Sequence, residues 1–290
     1  MRERSLLSKK SNFCSNVKAI TFLVVQFLLL SGCQKNPESY SVDFAVYYGS
    51  KKLDCKTVFE GEDTFEHQGQ VWRLSQLQFF IHDVQLKSKS GQWHQATPVV
   101  PEKYSDEVFL IGSGCGQQQN WQIKLTSLLA KNEISGIKFI VGVPPEINHK
   151  NPLTLAAPLN QPDMFWTWQL GHKFIRMEFA NSAEEWIFHL GSTGCRSPSP
   201  VRPPKEACKN PNAPKVVLNN FSAKHHVALN ISAFLEGIDM QDNSNCQSSL
   251  DTPACQLLLP RVGIAVASNL ANSNSPKNLQ AKQKLFESRR

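Results

Sequence analysis

The stretch VWRLSQLQFFIHDVQL, from Val71 to Leu86, decides the fold class of this chain. It contains no Gly or Pro and is rich in β-branched and aromatic residues, which favour extended structure, so we predict one long β-strand. Side chains alternate between the two faces of a strand. In the second half of the stretch, this alternation predicts one shared face formed by Phe80, His82, Val84 and Leu86.

Shorter segments of the same kind fill most of the remaining chain, and Gly, Pro, Asn and Asp separate them. The segments that we predict as further strands are 40–49, 121–125, 136–143, 172–180, 184–191, 214–221 and 225–231. Helical character is limited to 125–133 and 231–237. Many short strands without alternating helices predict an all-β fold, an antiparallel β-sandwich or barrel-like domain with minor short helices.

The N-terminus predicts export. Five basic residues precede an apolar run of 12 residues, Ala19–Leu30, which is typical of a signal peptide and too short to span a bilayer. The sequence Leu-Ser-Gly-Cys that ends at Cys33 resembles a bacterial lipobox, which implies cleavage after residue 32 and lipidation of Cys33. Gln34 rather than Asp follows, a pattern that indicates the outer membrane in such proteins. The alternative is an ordinary exported protein with a free Cys33.

Four segments follow from these patterns. We predict a signal peptide at 1–32, a linker at 33–40, one β-rich domain at 41–267 and a disordered tail at 268–290. The tail is rich in Asn, Ser, Lys and Gln, which rarely form a packed core.

The formal charge of +7 does not belong to the predicted domain, because residues 33–267 contain 21 Lys and Arg against 22 Asp and Glu. A nearly neutral domain has no electrostatic signature of nucleic-acid binding. Motifs of nucleophilic, nucleotide-binding and metalloprotease enzymes are also missing from the sequence, so we do not expect an enzyme.

Six cysteines remain after Cys14 and Cys33 are set aside: Cys55, Cys115, Cys195, Cys208, Cys246 and Cys255. In an oxidising compartment an even number predicts three disulfides, but sequence does not choose among the pairings. Proximity along the chain favours Cys195–Cys208 and Cys246–Cys255, which leaves Cys55–Cys115. The first pair would close a proline-rich loop at 191–215, of a length that is usually functional or disordered.

Histidine is the candidate metal ligand, because imidazole suits copper and zinc. His82 lies on an apolar strand face, His149 follows VPPEIN in a turn, and His189 lies at a strand end in WIFHLGSTGC. A single histidine in such a setting is more often a satisfied core residue. Strand ends of a sandwich can converge on one rim, however, which is the reason to group the three.

The run MFWTWQLGHKF, Met164–Phe174, concentrates aromatic residues. Trp166 and Trp168 are two residues apart, so on a strand they share a face and bury a large area. By pattern alone they are core residues.

Four motifs occur in the order FFIHDVQL, PPEINHKNPLT, MFWTWQLGHKFIRME and IFHLGSTGC. In this combination the chain resembles the MbnP-like copper-binding family, also called the metallo-mystery pair four-Cys proteins, over roughly residues 41–263. The resemblance implies an exported, β-rich, disulfide-containing protein that binds copper with histidine participation. It also implies a partner, a di-haem MauG-like peroxidase that oxidises a tryptophan to kynurenine.

By this resemblance the predicted metal ligands are His82, His149 and His189, and the predicted kynurenine sites are Trp166 and Trp168. Met164 is a further candidate ligand, as a soft donor for Cu(I). The family commonly has a tyrosine where this chain has His172, which could donate a hydrogen bond or add a ligand. The four-Cys label fits Cys195, Cys208, Cys246 and Cys255, with Cys55 and Cys115 as an additional pair.

Two functions of different kinds remain. The first is a periplasmic, lipid-anchored copper-binding protein, without catalytic turnover, that acts in copper acquisition or homeostasis. The second is a metal-free β-sandwich lipoprotein that serves as a scaffold or recognises a protein or glycan.

Overall fold

The computed structural model describes residues 36–54, 64–100, 107–114, 120–167, 169–240, 244–266 and 282–290. The predicted signal peptide and the lipidation site Cys33 lie outside the described residues. So do Trp168 and the predicted pair Cys55–Cys115.

The described strands are, in chain order, β1 (Glu38–Tyr48), β2 (Lys51–Leu53), β3 (Thr64–His67), β4 (Gln70–Ser88), β5 (Trp93–Gln95), β6 (Thr97–Pro98), β7 (Phe109–Gly114), β8 (Gln122–Ser127), β9 (Ile134–Val141), β10 (Phe165–Thr167), β11 (Gly171–His172), β12 (Ile175–Ala180), β13 (Glu185–Leu190), β14 (Lys215–Leu218), β15 (His226–Asn230) and β16 (Phe286–Arg289). The described helices are α1 (Pro145–Asn148), α2 (Ile231–Leu235) and α3 (Pro253–Leu258), together with short 3-10 turns. None of these helices is long and apolar enough to cross a membrane.

β4 organises the larger sheet, as the length of its sequence pattern indicated. It pairs antiparallel with β3, β5, β7, β9 and β12. The order β13-β12-β4-β9-β14 forms the main path of this sheet. The second sheet has the order β16-β15-β1-β8-β6, with β2 also on β1, and its β1–β15 pair is parallel. β10 and β11 form a small separate pair.

Aromatic side chains join the two large sheets. The ring of Phe44 on β1 lies 5.8 Å from that of Phe79 on β4 and 6.4 Å from that of Phe139 on β9. Phe286 on β16 lies 5.6 Å from both of the latter rings. Edge-to-face packing of this kind fills the space between two sheets. The predicted antiparallel β-sandwich is therefore confirmed.

A β-bulge in β4 overturns the predicted shared face. Between His82 and Gln85 the register with β9 shifts by one residue, and Asp83 adopts a φ of 50°. An extra residue reverses the alternation of every side chain after it. Phe80 and His82 therefore lie on the outer face of the sheet, whereas Val84 and Leu86 lie on the inner face and join the core.

The predicted helix at 125–133 is wrong. Ile123 and Leu125 are buried while Gln122 and Lys124 are exposed, and this period of two belongs to strand β8. The segment then continues to a single 3-10 turn at Lys131–Glu133. The helix predicted at 231–237 is confirmed over Ile231–Leu235.

The disulfides Cys195–Cys208 and Cys246–Cys255 are confirmed. They link neighbouring cysteines, as proximity along the chain favoured. The first closes the proline-rich loop between β13 and β14.

The predicted disordered tail is wrong for residues 282–290. β16 pairs antiparallel with β15, and Leu285 and Phe286 are buried. The tail was predicted to be disordered from its average composition, which is polar. Two adjacent core residues change that average very little.

Replacement of Phe286 by Ala tests this anchor. We expect Phe286→Ala to lower the free energy of unfolding by about 3–5 kcal/mol, since it leaves a cavity between the two sheets. The exposed Lys282→Ala should change it by less than about 0.5 kcal/mol. Urea titration followed by tryptophan fluorescence measures both, and a Phe286→Ala protein as stable as the unmodified chain would contradict the packing.

Candidate metal centre

A polar layer covers the outer face of the larger sheet. Gln76 and Gln78 on β4 pair with Glu178 and Arg176 on β12, and His189 on β13 pairs with Arg176. The intervening residues point inward to the apolar core. Strand β12 therefore has one apolar face in the core and one partly buried polar face.

The segment between β9 and β12 lies over this polar layer. The ring of His172 is 5.6 Å from that of Phe80, and the ring of Trp166 is 6.2 Å from that of His189. Asp163 accepts a hydrogen bond from Arg176, with Oδ2 3.1 Å from Nη1. These contacts bring a predicted kynurenine site and a predicted ligand together.

His189 donates to a carboxylate. It is 7% exposed, and its Nε2 lies 2.8 Å from Oε1 of Glu178. Burial alone would raise the pKa of Glu178. Hydrogen bonds from His189 and Arg176, together with the charge of the guanidinium group, hold that pKa at about 2. An ionised carboxylate only accepts hydrogen bonds, so Nε2 of His189 carries the proton.

The other ring nitrogen of His189 is unsatisfied. Burial lowers the pKa of His189, so the imidazole is neutral and Nδ1 holds a lone pair. This Nδ1 is buried and has no hydrogen-bond partner among the described residues. A buried acceptor left without a donor costs about 1–3 kcal/mol. A metal ion would use this lone pair, and histidine ligands in proteins commonly donate their second nitrogen to a carboxylate.

Trp166 lies at a β-bulge near the ring of His189. The register of β10 with β11 shifts between Phe165 and Thr167, so Trp166 is the extra residue. Bulges re-aim side chains. Its indole packs on Gly191, where an added Cβ would collide with Cζ3. Trp166 is partly exposed as a residue, although its ring packs on Gly191.

His82 is half-buried, and its tautomer is opposite to that of His189. Its Nδ1 lies 3.0 Å from the carbonyl oxygen of Gly142 and must donate, which leaves the lone pair on Nε2. Burial lowers the pKa of His82, although the bond to Gly142 and the charges of Asp83 and Glu146 oppose this shift. His82 is therefore also a neutral imidazole with one free lone pair.

The register keeps His82 away from His189. His189 lies level with Gln78, two strands away, and His82 follows four residues further along β4. Two interstrand spacings and four residues separate the two Cα atoms by roughly 16 Å. One ion cannot have both imidazoles as ligands in this arrangement, and the three predicted histidines do not form one group of ligand atoms.

His149 belongs to a different cluster. Its Nε2 lies 3.2 Å from Nδ2 of Asn148 and 3.3 Å from Sγ of Cys208. In the described part of the chain, His149, Cys195 and Cys208 form the group of three potential metal ligands whose ligand atoms lie within 4.8 Å of one another. The two sulfurs are joined in a disulfide, so they are not thiolate ligands. His149 and Cys208 also line a cavity of about 750 Å³.

His172 and Met164 are structural. His172 is fully buried, with Nδ1 2.8 Å from the carbonyl oxygen of Asn148 and Nε2 3.0 Å from that of Leu159. Both nitrogens are engaged, so His172 fastens the covering segment and is not a ligand here. Met164 is fully buried in the apolar core.

Glu178 and Arg176 were not predicted from the sequence. The available signal was weak: two charged residues alternate with apolar residues in FIRMEF. Their contact with His189 depends on pairing between β12 and β13, which a single sequence does not reveal.

Comparisons with known protein families and solved structures identify the same family. A family model described as MbnP matches residues 37–248. The solved structure of MbnP from Methylosinus trichosporium is similar, with a TM-score of 0.70 and 21% sequence identity, over 87% of this chain and 98% of that chain. None of the curated proteins compared with the chain matches it.

The titration of His189 tests the local electrostatics. We expect His189 to titrate below the ordinary pKa of about 6.5, with the neutral ring protonated on Nε2. Glu178→Gln should lower this pKa further, because the carboxylate favours the imidazolium. Asp163→Asn, which leaves the Glu178–His189 contact intact, is the matched control. Two-dimensional ¹H–¹⁵N NMR of the imidazole nitrogens measures both, and a pKa above 6.5 would contradict the buried geometry.

Proposed function

Because the chain belongs to the MbnP family, we propose that it is a copper-binding protein in which Nδ1 of His189 is a ligand. One observation carries this proposal: Nδ1 is buried and unsatisfied, while Glu178 holds the opposite side of the ring. A carboxylate behind the ring fixes the tautomer and raises the basicity of the ligating nitrogen. The lowered pKa of His189 supports the same role, since a metal ligand must be deprotonated.

Copper is cargo in this proposal. The chain captures the ion and releases it in copper acquisition or homeostasis, and it carries out no catalytic turnover. Imidazole nitrogen is a donor that suits copper. His82 and His149 remain predicted ligands that lie apart from His189 in the described arrangement.

We propose that Trp166 is oxidised to kynurenine by a di-haem MauG-like peroxidase. Its proximity to His189 supports this choice, because a modified side chain at this position would lie near the ring that carries the unsatisfied Nδ1. Two molecules of hydrogen peroxide supply the four oxidising equivalents and are reduced to two waters, while the C2–C3 bond of the indole breaks and each of these carbons gains a carbonyl oxygen. Water then hydrolyses the resulting N-formyl group and releases the C2 carbon as formate. The product has an aniline nitrogen and a ketone where the indole had only a donor. Trp168 is the alternative site.

The proposed location is the periplasm, with a lipid on Cys33 that anchors the chain to the outer membrane. The lipobox-like sequence supports the anchor, and two disulfides support an oxidising compartment.

The cavity of about 750 Å³ beside His149 favours the second candidate function, a metal-free binding protein. Prolines and Phe174 supply much of its lining. Cavities of this size and character commonly bind small organic groups. Copper analysis distinguishes the two functions.

Copper affinity tests the role of His189. We expect one copper ion per chain in protein expressed with its export signal, and loss of that copper in His189→Ala. Glu178→Gln should weaken binding by about 10–100-fold, since the imidazole loses its outer partner. Asp163→Asn should bind as the unmodified chain does. Competition with a chromophoric chelator measures affinity, and a copper-free protein at micromolar free copper would favour the metal-free function.

Intact mass tests the modification. After co-expression with a di-haem peroxidase we expect an increase of about 4 Da, because kynurenine has one carbon fewer and one oxygen more than tryptophan. Trp166→Phe should abolish the increase and Trp168→Phe should not. The reverse result would assign the modification to Trp168, and an unchanged mass would argue against modification while leaving copper binding open.

A further inference from the structure

We propose that His149, Cys195 and Cys208 form a second metal site, which binds a thiophilic ion such as Zn²⁺ or Cu⁺ once the disulfide has been reduced. This inference goes beyond the proposed function, because it uses neither His189 nor Trp166. The protein would not bind a metal ion at this site while the disulfide is intact, and would bind one after the disulfide is reduced.

The ligand atoms already have suitable spacing. Nε2 of His149 lies 3.3 Å from Sγ of Cys208, and all three ligand atoms are within 4.8 Å of one another. A tetrahedral ion bound at about 2.3 Å to sulfur and about 2.0–2.1 Å to nitrogen separates those ligands by about 3.5 Å. His149 therefore needs little movement, and only the two sulfurs must part.

The backbone keeps the two cysteines close without the disulfide. Thr193 and Asn210 exchange two hydrogen bonds, with N–O distances of 2.9 and 3.0 Å. Gln169 donates from Nε2 to the carbonyl oxygen of Cys195 at 2.9 Å. These bonds lie directly beside the disulfide, so the base of the loop stays closed when the sulfurs separate. Two preorganised thiols reduce the entropic cost of binding an ion.

The disulfide is accessible to a reductant. Cys208 is half-buried and lines the same cavity as His149, and Cys195 borders a second cavity of about 680 Å³. By contrast, Cys246 and Cys255 are fully buried and border neither cavity. Thiol–disulfide exchange depends on access to a sulfur, so the first disulfide should be reduced before the second.

The chemistry requires a dithiol reductant. A thiolate of the reductant attacks Sγ of Cys208, which forms a mixed disulfide and releases the Cys195 thiolate. The second thiol of the reductant then displaces Cys208, so two electrons pass to the protein and the reductant becomes a disulfide. Metal binding replaces the two S–H protons, which pass to solvent, with two metal–sulfur bonds. The cavity leaves room for water as a fourth ligand of Zn²⁺.

Cobalt(II) binding to the full chain tests the site. We would reduce the protein anaerobically with a graded dithiol and confirm by differential alkylation that Cys195 and Cys208 are free while Cys246–Cys255 is intact. We expect one Co²⁺ per chain, with thiolate-to-metal charge-transfer absorption, after reduction and not before. Displacement by Zn²⁺ or Cu⁺ then shows which ion binds more tightly.

Variants make the test specific. The double variant Cys195→Ser/Cys208→Ser should lose the absorption, and His149→Ala should weaken Co²⁺ binding by about tenfold or more, since it removes a direct ligand. His189→Ala should retain it, which separates this site from the proposed copper centre. Cys55→Ser/Cys115→Ser should also retain it.

Three results would overturn the proposal: charge-transfer absorption that is unaffected by His149→Ala, absorption that requires Cys55 and Cys115, or a loop that loses its fold on reduction. Near-ultraviolet circular dichroism of the reduced protein monitors the last. Copper binding by the oxidised chain is measured separately, so either hypothesis can fail without the other.

Discussion

The carboxylate of Glu178 is the group on which the polar layer depends. It accepts two hydrogen bonds from Arg176, at 2.6 and 3.2 Å, and one from His189. A half-buried charge of this kind is tolerated only when its hydrogen bonds are complete. Asp163, in the segment that carries Trp166, contacts the same guanidinium group of Arg176 at 3.1 Å. One hydrogen-bonded network therefore joins this segment to β12 and β13.

Irregularities in the strands decide where the candidate residues point. A regular β4 would have carried Val84 and Leu86 to the same side as His82, against the covering segment. The bulge at Asp83 returns both to the core and leaves His82 at the outer edge. Trp166 occupies a second bulge, in β10. Each bulge leaves one residue unpaired in the strand ladder. It also directs a side chain to a position that a regular strand would not give it.

The predictable features were local ones. The β-branched and aromatic residues of Val71–Leu86, uninterrupted by Gly or Pro, indicated the central strand, and short sequence separation indicated the disulfides Cys195–Cys208 and Cys246–Cys255. The bulge at Asp83 was not predicted: Asp adopts a positive φ more readily than most residues, but the position of an extra residue depends on the register with β9. The contact of Glu178 with His189 was missed for a related reason: it requires the register between two strands. The motifs identified the residues of the candidate centre, but not that His82 and His189 lie apart.

The two nitrogens of His172 help to hold the covering segment between β9 and β12 in place. His172 faces the carbonyl oxygens of Asn148 and Leu159 with its two nitrogens. Burial lowers the pKa of His172, although the contacts with the carbonyl oxygens of Leu159 and Asn148 oppose this shift. Asn148 in turn contacts both His149 and Ser192. His172 therefore fixes the position of Asn148, which in turn contacts the candidate ligand His149.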